Sequence, residues 1–437
     1  MSDAPPVNLP VVTAWREIGP AQDPSALLYR VMGHDPFTIN PEPLAALSRR
    51  CERHPMTRSA WLVAALALGR VAFGFQFQSV ASLGPTLMGQ YGLSYAALGT
   101  LIGLYMAPGI LVALPGGVLG RRYGGRVLVG SGFVLMTLGA LIAAGVGGPQ
   151  GIGAGRLLAG MGAVALIVMQ GKLAADRFTG TAFVTVMGLL VGMFPIGVGL
   201  SGLALAPIVA WGGPAAMFAI GAALSALSGL LLLGAPPGGG TAATFAWPSK
   251  REVRLVLVAG LIWTAYNSGY YGFLSYVPSV LAARGHPPRL AALVLTVATW
   301  TNLPATLAGG WLSGRFGGAR VLVWGTVAAV GSIVGLAVLD WPLLFGLVFG
   351  TLGSVQAGVI VALGTLSARP QNQAVGMGLF YTVYFLGVAS FPGLCGLVGD
   401  AWGSPAAALF AAGLLGTLAL PAFWLHRHLS VRSPFAA

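Results

Sequence analysis

Acidic side chains are scarce. Ten Asp and Glu stand against 23 Lys and Arg in 437 residues, and the charged fraction of 8% is far below the roughly 25% of an average globular protein. Six of the ten acids fall in residues 1–56. The remaining four, Asp176, Glu252, Asp340 and Asp400, lie at the ends of apolar segments or between them, as do His286, His426 and His428. Carriers that couple to protons need a titratable group at membrane depth, so coupling through an embedded carboxylate is excluded, and nothing negative waits for a cationic solute. A membrane-embedded protease or metalloenzyme lacks its acids, bases and ligands, so the chain reads as no enzyme, with no metal and no cofactor. Cys51 and Cys395 are the only cysteines, which excludes a disulfide framework.

What is present is apolar. The chain is 56% hydrophobic, with 67 Gly and a mean hydropathy of +0.83. From Thr57 onward the pattern predicts twelve membrane-crossing helices, each near the roughly 20 residues a crossing needs. In the first half they cover about 60–83, 94–119, 126–146, 152–174, 182–209 and 213–234; in the second, about 254–281, 290–313, 319–338, 342–367, 374–399 and 405–426. The expected fold is therefore all-α and integral to the membrane, with twelve transmembrane helices in two pseudo-symmetric six-helix bundles, 57–234 and 253–437. A polar linker, 235–252, joins them. Residues 1–56, rich in proline and acid and without a signal-peptide pattern, are expected to form a poorly ordered cytoplasmic extension.

Two short stretches occur twice. GGVLGRRYGGRVLV at 116–129 returns as GGWLSGRFGGARVLV at 309–323, and WGGPAA at 211–216 returns as WGSPAA at 402–407. The offsets, 193 and 191, nearly agree, which identifies a duplication. With the N-terminus inside, seventeen Lys and Arg flank the cytoplasmic ends of the spans, against Arg284 and Arg289 on the other side. This asymmetry predicts a multi-pass protein of the inner (plasma) membrane with both termini cytoplasmic. It also accounts for the net charge of +13 as a topology signal rather than a nucleic-acid surface.

Six plus six spans, with a basic glycine turn after spans 2 and 8, resemble the major facilitator superfamily over nearly everything from residue 57 onward. The family's loop signature G-x-L-x-D-R-x-G-R-R is matched by Gly117, Leu119, Arg122, Tyr123, Gly124 and Arg126. In the second half Gly310, Leu312, Arg315, Phe316 and Gly317 match it. Arg156 with Gly160 and Gly162 resembles the signature of span 4, and Asp176-Arg177 the acidic–basic pair that follows. The resemblance implies gating roles for these loop residues. The signature's aspartate, which latches the cytoplasmic gate in the family, is Arg121 in one half and Gly314 in the other. The glycine–proline pattern of drug antiporters is malformed in Gly192–Gly199. An arginine on span 1 with another on span 4 resembles anion:cation symporters, and MFPIGVGL on span 5 resembles cyanate-permease-like carriers.

Two arginines lie inside the membrane. Arg70 falls near the middle of span 1 and Arg156 in the outer part of span 4; each costs about 2.5–3.5 kcal/mol at a helix centre and needs a partner. Guanidinium matches a carboxylate or small oxyanion. A structural alternative, bonding to neighbouring carbonyls, stands beside that reading, most strongly for Arg156. Phe77 and Gln78 accompany Arg70 on span 1. Trp263, Tyr266, Asn267 and Tyr270 share one face of span 7, and Gln356 is a polar group inside span 10. The resemblance places spans 1, 4, 7 and 10 around a central cavity, so these residues are expected to face one another there; Tyr105, Trp300, Asn302, Tyr381 and Tyr384 are further candidates. The expected function is a monomeric carrier of a small anionic solute by alternating access. A carrier of a neutral polar or aromatic solute, and a transporter-like sensor or scaffold, are the alternatives.

Overall fold

A computed structural model describes residues 56–113, 123–235, 247–369 and 372–431. The expected N-terminal extension, most of the linker, and Gly117, Arg121 and Arg122 of the first glycine turn lie outside the described residues. All described residues except Met56 belong to one compact unit, Thr57–Ala437.

Every described element is a helix. Span 1 is α1 (Met56–Ser82), followed by the short α2 (Gly84–Tyr91). Span 2 begins as α3 (Tyr95–Gly103) and loosens into turns before Pro108. Spans 3 and 4 are α4 (Gly125–Gly145) and α5 (Gly148–Ala175). Spans 5 and 6 run together as α6 (Gly180–Leu233), bent at Gly212 and Gly213. In the second half, spans 7, 8 and 9 are α7 (Lys250–Ala283), α8 (Pro288–Phe316) and α9 (Gly318–Val338). Span 10 is broken into α10 (Pro342–Gly350) and α11 (Ala357–Leu366). Span 11 is α12 (Gln373–Ala401), and span 12 is α13 (Pro405–Thr417) with α14 (Ala419–Val431).

Among the described residues, eight helices are long and apolar enough to cross a membrane by themselves. They cover nine of the twelve predicted spans, because the bend at Gly212–Gly213 leaves spans 5 and 6 in one helix. Span 2 is interrupted at 104–108, span 10 at 351–356, and span 7 carries the polar and aromatic run WTAYNSGYYG at 263–272, which lowers its hydropathy.

The duplication is visible in the backbone. Gly124 and Gly317, equivalent in the repeated turn, have φ of 85° and 86° and ψ of 142° and 139°, a left-handed conformation natural to glycine. The second repeat behaves alike: Gly213 and Gly403 have φ of 67° and 62°, each shortly before a proline that starts the next helix.

Helix α7 is anchored by a capping box. The Ser249 amide donates to Glu252 Oε2 (2.7 Å), and Ser249 Oγ accepts from the Glu252 amide. The Glu252 carboxylate also accepts from the Arg369 amide (2.8 Å) and from Asn372 Nδ2 (3.1 and 3.2 Å), tying the start of span 7 to the connection between spans 10 and 11. Burial pulls its pKa upward, but the donors from Arg369, Ser249 and Asn372 prevail and hold it down to about 2, against an ordinary 4.5. The resulting stabilisation is complete above about pH 4.5 and is lost as pH falls toward 2. Glu252→Gln should lower the midpoint of thermal unfolding at pH 7, by the 0.5–2 kcal/mol or so typical of a lost cap. It should also flatten the acid dependence between pH 5 and 3, measured by unfolding the detergent-purified protein; an unchanged acid slope would refute the assignment.

Candidate functional site

Arg70 occupies the middle of the 27-residue α1 and is only 8% exposed. Its Nε donates to the Leu190 carbonyl of span 5 (3.1 Å), and its terminal nitrogens make no hydrogen bond among the described residues. The guanidinium carbon stands 5.4 Å from the Phe73 ring centre and 5.5 Å from that of Phe194. From the second half, Tyr271 of span 7 and Tyr381 and Tyr384 of span 11 come close enough to feel its charge. The Tyr271 and Tyr384 hydroxyls hydrogen-bond each other at 2.8 Å. Phe77 packs edge-on against Tyr271 (4.8 Å), linking the halves beside the arginine. Among the described residues no carboxylate acts on Arg70.

Arg156 is spent differently. Its Nη1 donates to Gln76 O (3.0 Å), and its Nη2 to Phe77 O (3.2 Å) and Ile102 O (3.0 Å), with the Tyr105 ring 4.8 Å away. Three carbonyls of spans 1 and 2 thus take donors of Arg156, the structural alternative to a solute-binding role, while its Nε is buried without a partner among the described residues. Gln78 is fully buried; its Nε2 donates to Leu274 O of span 7 (3.0 Å), in the contact between the halves, and its Oε1 has no partner among the described residues. Gln356 sits at the break in span 10 and turns to span 9, accepting from Thr326 Oγ1 (2.7 Å) and donating to Gly353 O. Asn267 donates to Trp263 O one turn back on its own helix (2.8 Å). A carbonyl at the break in span 10 and one inside span 7, which periodicity does not reveal, accept from the two amide nitrogens.

The rest of the span 7 stripe forms an aromatic wall. Trp263 stacks on Tyr266 (5.3 Å) and lies 6.1 Å from Tyr384, so it joins the Arg70 group. Its indole Nε1 is buried without a partner among the described residues. Tyr266 stacks on Tyr270, and Tyr270 on Phe349 of span 10. Tyr271, which the stripe omitted, is the residue that meets Phe77 and Tyr384; its spacing of eight from Trp263 would have placed it on the same side. Of the further candidates, Tyr105 donates to Gln76 Oε1 (3.1 Å) and Asn302 to Ser354 Oγ (2.8 Å), both internal polar contacts.

All hydrogen bonds between the two halves among the described residues lie toward one end, opposite the glycine turns. Asp400 Oδ1 and Oδ2, in the last turn of α12, accept from the amides of Tyr95 (2.7 Å) and Ala96 (3.0 Å), the first turn of α3. Tyr276 donates to Tyr95 O (3.3 Å) and Thr296 to Gly199 O (3.3 Å). Spans 2 and 11 touch backbone to backbone; a Cβ on Gly103 would stand 2.0 Å from Ala389 O. At the other end the hydrogen bonds among the described residues stay within each half. Arg126 donates to Leu232 O and Leu233 O (3.2 and 2.9 Å), and Arg251 to Leu429 O. Arg315 packs on Trp311 and Phe316. Gly310 and Gly314 face open space, and Asp176 caps the end of α5, beside Arg177. His426, expected at the very end of span 12, is instead buried within it and hydrogen-bonded to Ser367 (2.9 Å).

The fold is found in known carriers. The structure is similar to a bacterial homologue of the human lysosomal transporter Spinster in an inward-facing, occupied conformation, with a TM-score of 0.69 at 15% identity, covering 86% of this chain and 99% of that one. It is also similar to a variant of the nucleoside transporter NupG (TM-score 0.65, 15% identity, 84% and 100% covered) and to the E. coli xylose transporter XylE in a partially occluded inward-open state (0.64, 15%, 84% and 99%). No curated protein matches the chain by sequence. The family model of the Major Facilitator Superfamily matches residues 66–392 and 270–437. With two six-span halves, a buried polar centre between them and one closed end, this chain is a multi-pass membrane protein of the major facilitator superfamily, an alternating-access transporter and not an enzyme.

Proposed function

We propose that the solute is a small anion, carried across the inner membrane of a cell whose cytoplasm holds both termini. The observation that carries this reading is Arg70: a guanidinium at mid-membrane with one bond to protein, two unengaged terminal nitrogens and no carboxylate beside it. A cation so placed costs about 2.5–3.5 kcal/mol, and an anion taking its free fork offsets that cost only while bound. The hydrogen-bonded pair of Tyr271 and Tyr384 keeps one hydroxyl proton free as a donor from the opposite half, so one anion touches both halves and draws them together. Trp263, with its unpartnered indole N–H, closes the wall on the second-half side. Tyr266 and Tyr270 support that wall, and Phe77 bridges it to span 1. In this orientation the end where the halves hydrogen-bond each other is the outer one. A neutral aromatic solute is the second reading, favoured by the density of rings around Trp263.

Thermal unfolding of the purified protein against small carboxylates, cyanate, chloride, nucleosides and sugars separates the two. Ligand binding raises stability with concentration, so at least one organic or pseudohalide anion should raise the midpoint, with little change between pH 6 and 8. Stabilisation confined to neutral solutes would refute the anion reading.

A further inference from the structure

Spans 3, 4 and 6 enclose a groove of about 990 Å³, lined by residues of the first half other than those around Arg70. Its walls are apolar: Val127 and Leu138 mark its length along α4, and Leu230 and Leu233 of α6 face them, all four exposed. Eleven residues at 1.5 Å each make about 16 Å, roughly half of a 30 Å hydrocarbon core and therefore the depth of one leaflet. Its mouth is charged. Arg126 and Lys172 stand there with one carboxylate, Asp176, leaving an excess of one positive charge at the level where headgroups lie. Arg126 is partly engaged by the last carbonyls of α6, whereas Lys172 makes no hydrogen bond or ion pair among the described residues.

We infer that this groove is a binding site for an anionic glycerophospholipid of the adjoining leaflet. An acyl chain gains no hydrophobic stabilisation by leaving other chains for the groove, since both surroundings are apolar. Retention of one particular lipid must therefore come from shape and from the mouth. The groove accepts a chain along its 16 Å or so, and Lys172 with Arg126 holds the phosphodiester and an acidic headgroup. A zwitterionic lipid brings its own ammonium into the same excess of positive charge and is held less well. The site is built from spans other than those around Arg70, so it does not depend on the identity of the transported solute.

Native mass spectrometry of the full-length protein, released from detergent with phosphatidylglycerol or phosphatidylcholine of identical chains, tests this directly. One phosphatidylglycerol per chain should survive activation that strips phosphatidylcholine. Lys172→Gln should cut the retained fraction at least fivefold. Gly130→Phe should abolish retention of phosphatidylglycerol, because a side chain there meets only Leu232 (3.6 Å from an added Cβ) and then fills the groove. Equal retention of the two lipids, or Lys172→Gln retaining phosphatidylglycerol as the native protein does, overturns the proposal. Should Gly130→Phe fail to fold, the exposed end of α5 still tolerates Lys172→Gln, and that variant alone decides.

Discussion

Arg70→Ala should abolish solute uptake in reconstituted vesicles while the protein still folds and inserts. Two charge-assisted hydrogen bonds to an anion are together worth about 3–6 kcal/mol, so their loss lowers uptake at sub-saturating solute by roughly a hundredfold or more. Stability should be unchanged or raised, because removing the cation frees only the Leu190 carbonyl and relieves a buried charge. Arg70→Lys keeps the charge but not the planar fork and should restore only a small part of the activity. The contrast with Arg156 makes the result interpretable. Arg156→Ala strips donors from Gln76, Phe77 and Ile102, carbonyls inside the first half, and should lower the unfolding midpoint and the yield of folded protein. A structural arginine gives that phenotype and a solute-binding arginine the other. Normal uptake by Arg70→Ala, or an unfolding defect as large as that of Arg156→Ala, would sink the assignment.

The fold was legible because its signals are covalent or long. Twenty-residue apolar runs, two repeated turns and a one-sided distribution of arginine survive any detail of packing, and the equal backbone angles of Gly124 and Gly317 are the same repeat seen in three dimensions. The site was legible only in part. A charge at mid-membrane is costly wherever it points, so Arg70 stood out from sequence alone. Amides are cheaper to satisfy: Asn267 bonded its own helix, and Gln356 used a break in span 10 that no periodicity forecasts. Tyr271 was missed because a stripe counted at i, i+3, i+4 and i+7 stops one residue short of the position facing the other half. Asp400 was read as a residue at a span end. That it caps a helix of the opposite half depends on how the halves dock, which no single segment encodes.

Asp400→Asn should loosen the closed end. The carboxylate accepts from the two amides that open α3, groups with no partner inside their own helix, and it places a negative charge against the positive end of that helix. Its side chain is exposed, so solvent screening limits the clasp to about 1–2 kcal/mol, the range of a good cap, or roughly a five- to thirtyfold shift between closed and open forms. The shift can be read with a cysteine at Ser279, buried beside Gly84 where the halves meet, in a background lacking Cys51 and Cys395. A membrane-impermeant maleimide added from that side should label it several-fold faster once Asp400 is neutralised. Asp340→Asn is the control, because Asp340 sits at the same end but pairs with His286 inside the second half (2.7 Å), so its loss should leave the rate alone. The opposite gate has Arg121 and Gly314 where the family's loop signature carries its aspartate. With a carboxylate clasp at one end and none in the signature loops at the other, the solute-free equilibrium should favour the form closed at the Asp400 end, as the structure is. Neutralising Asp400 removes that bias, so uptake should change in rate while the order of preference among anions, set at Arg70, stays fixed. An unchanged labelling rate, or an altered order of preference, would show that the clasp is incidental to gating or not separate from the site.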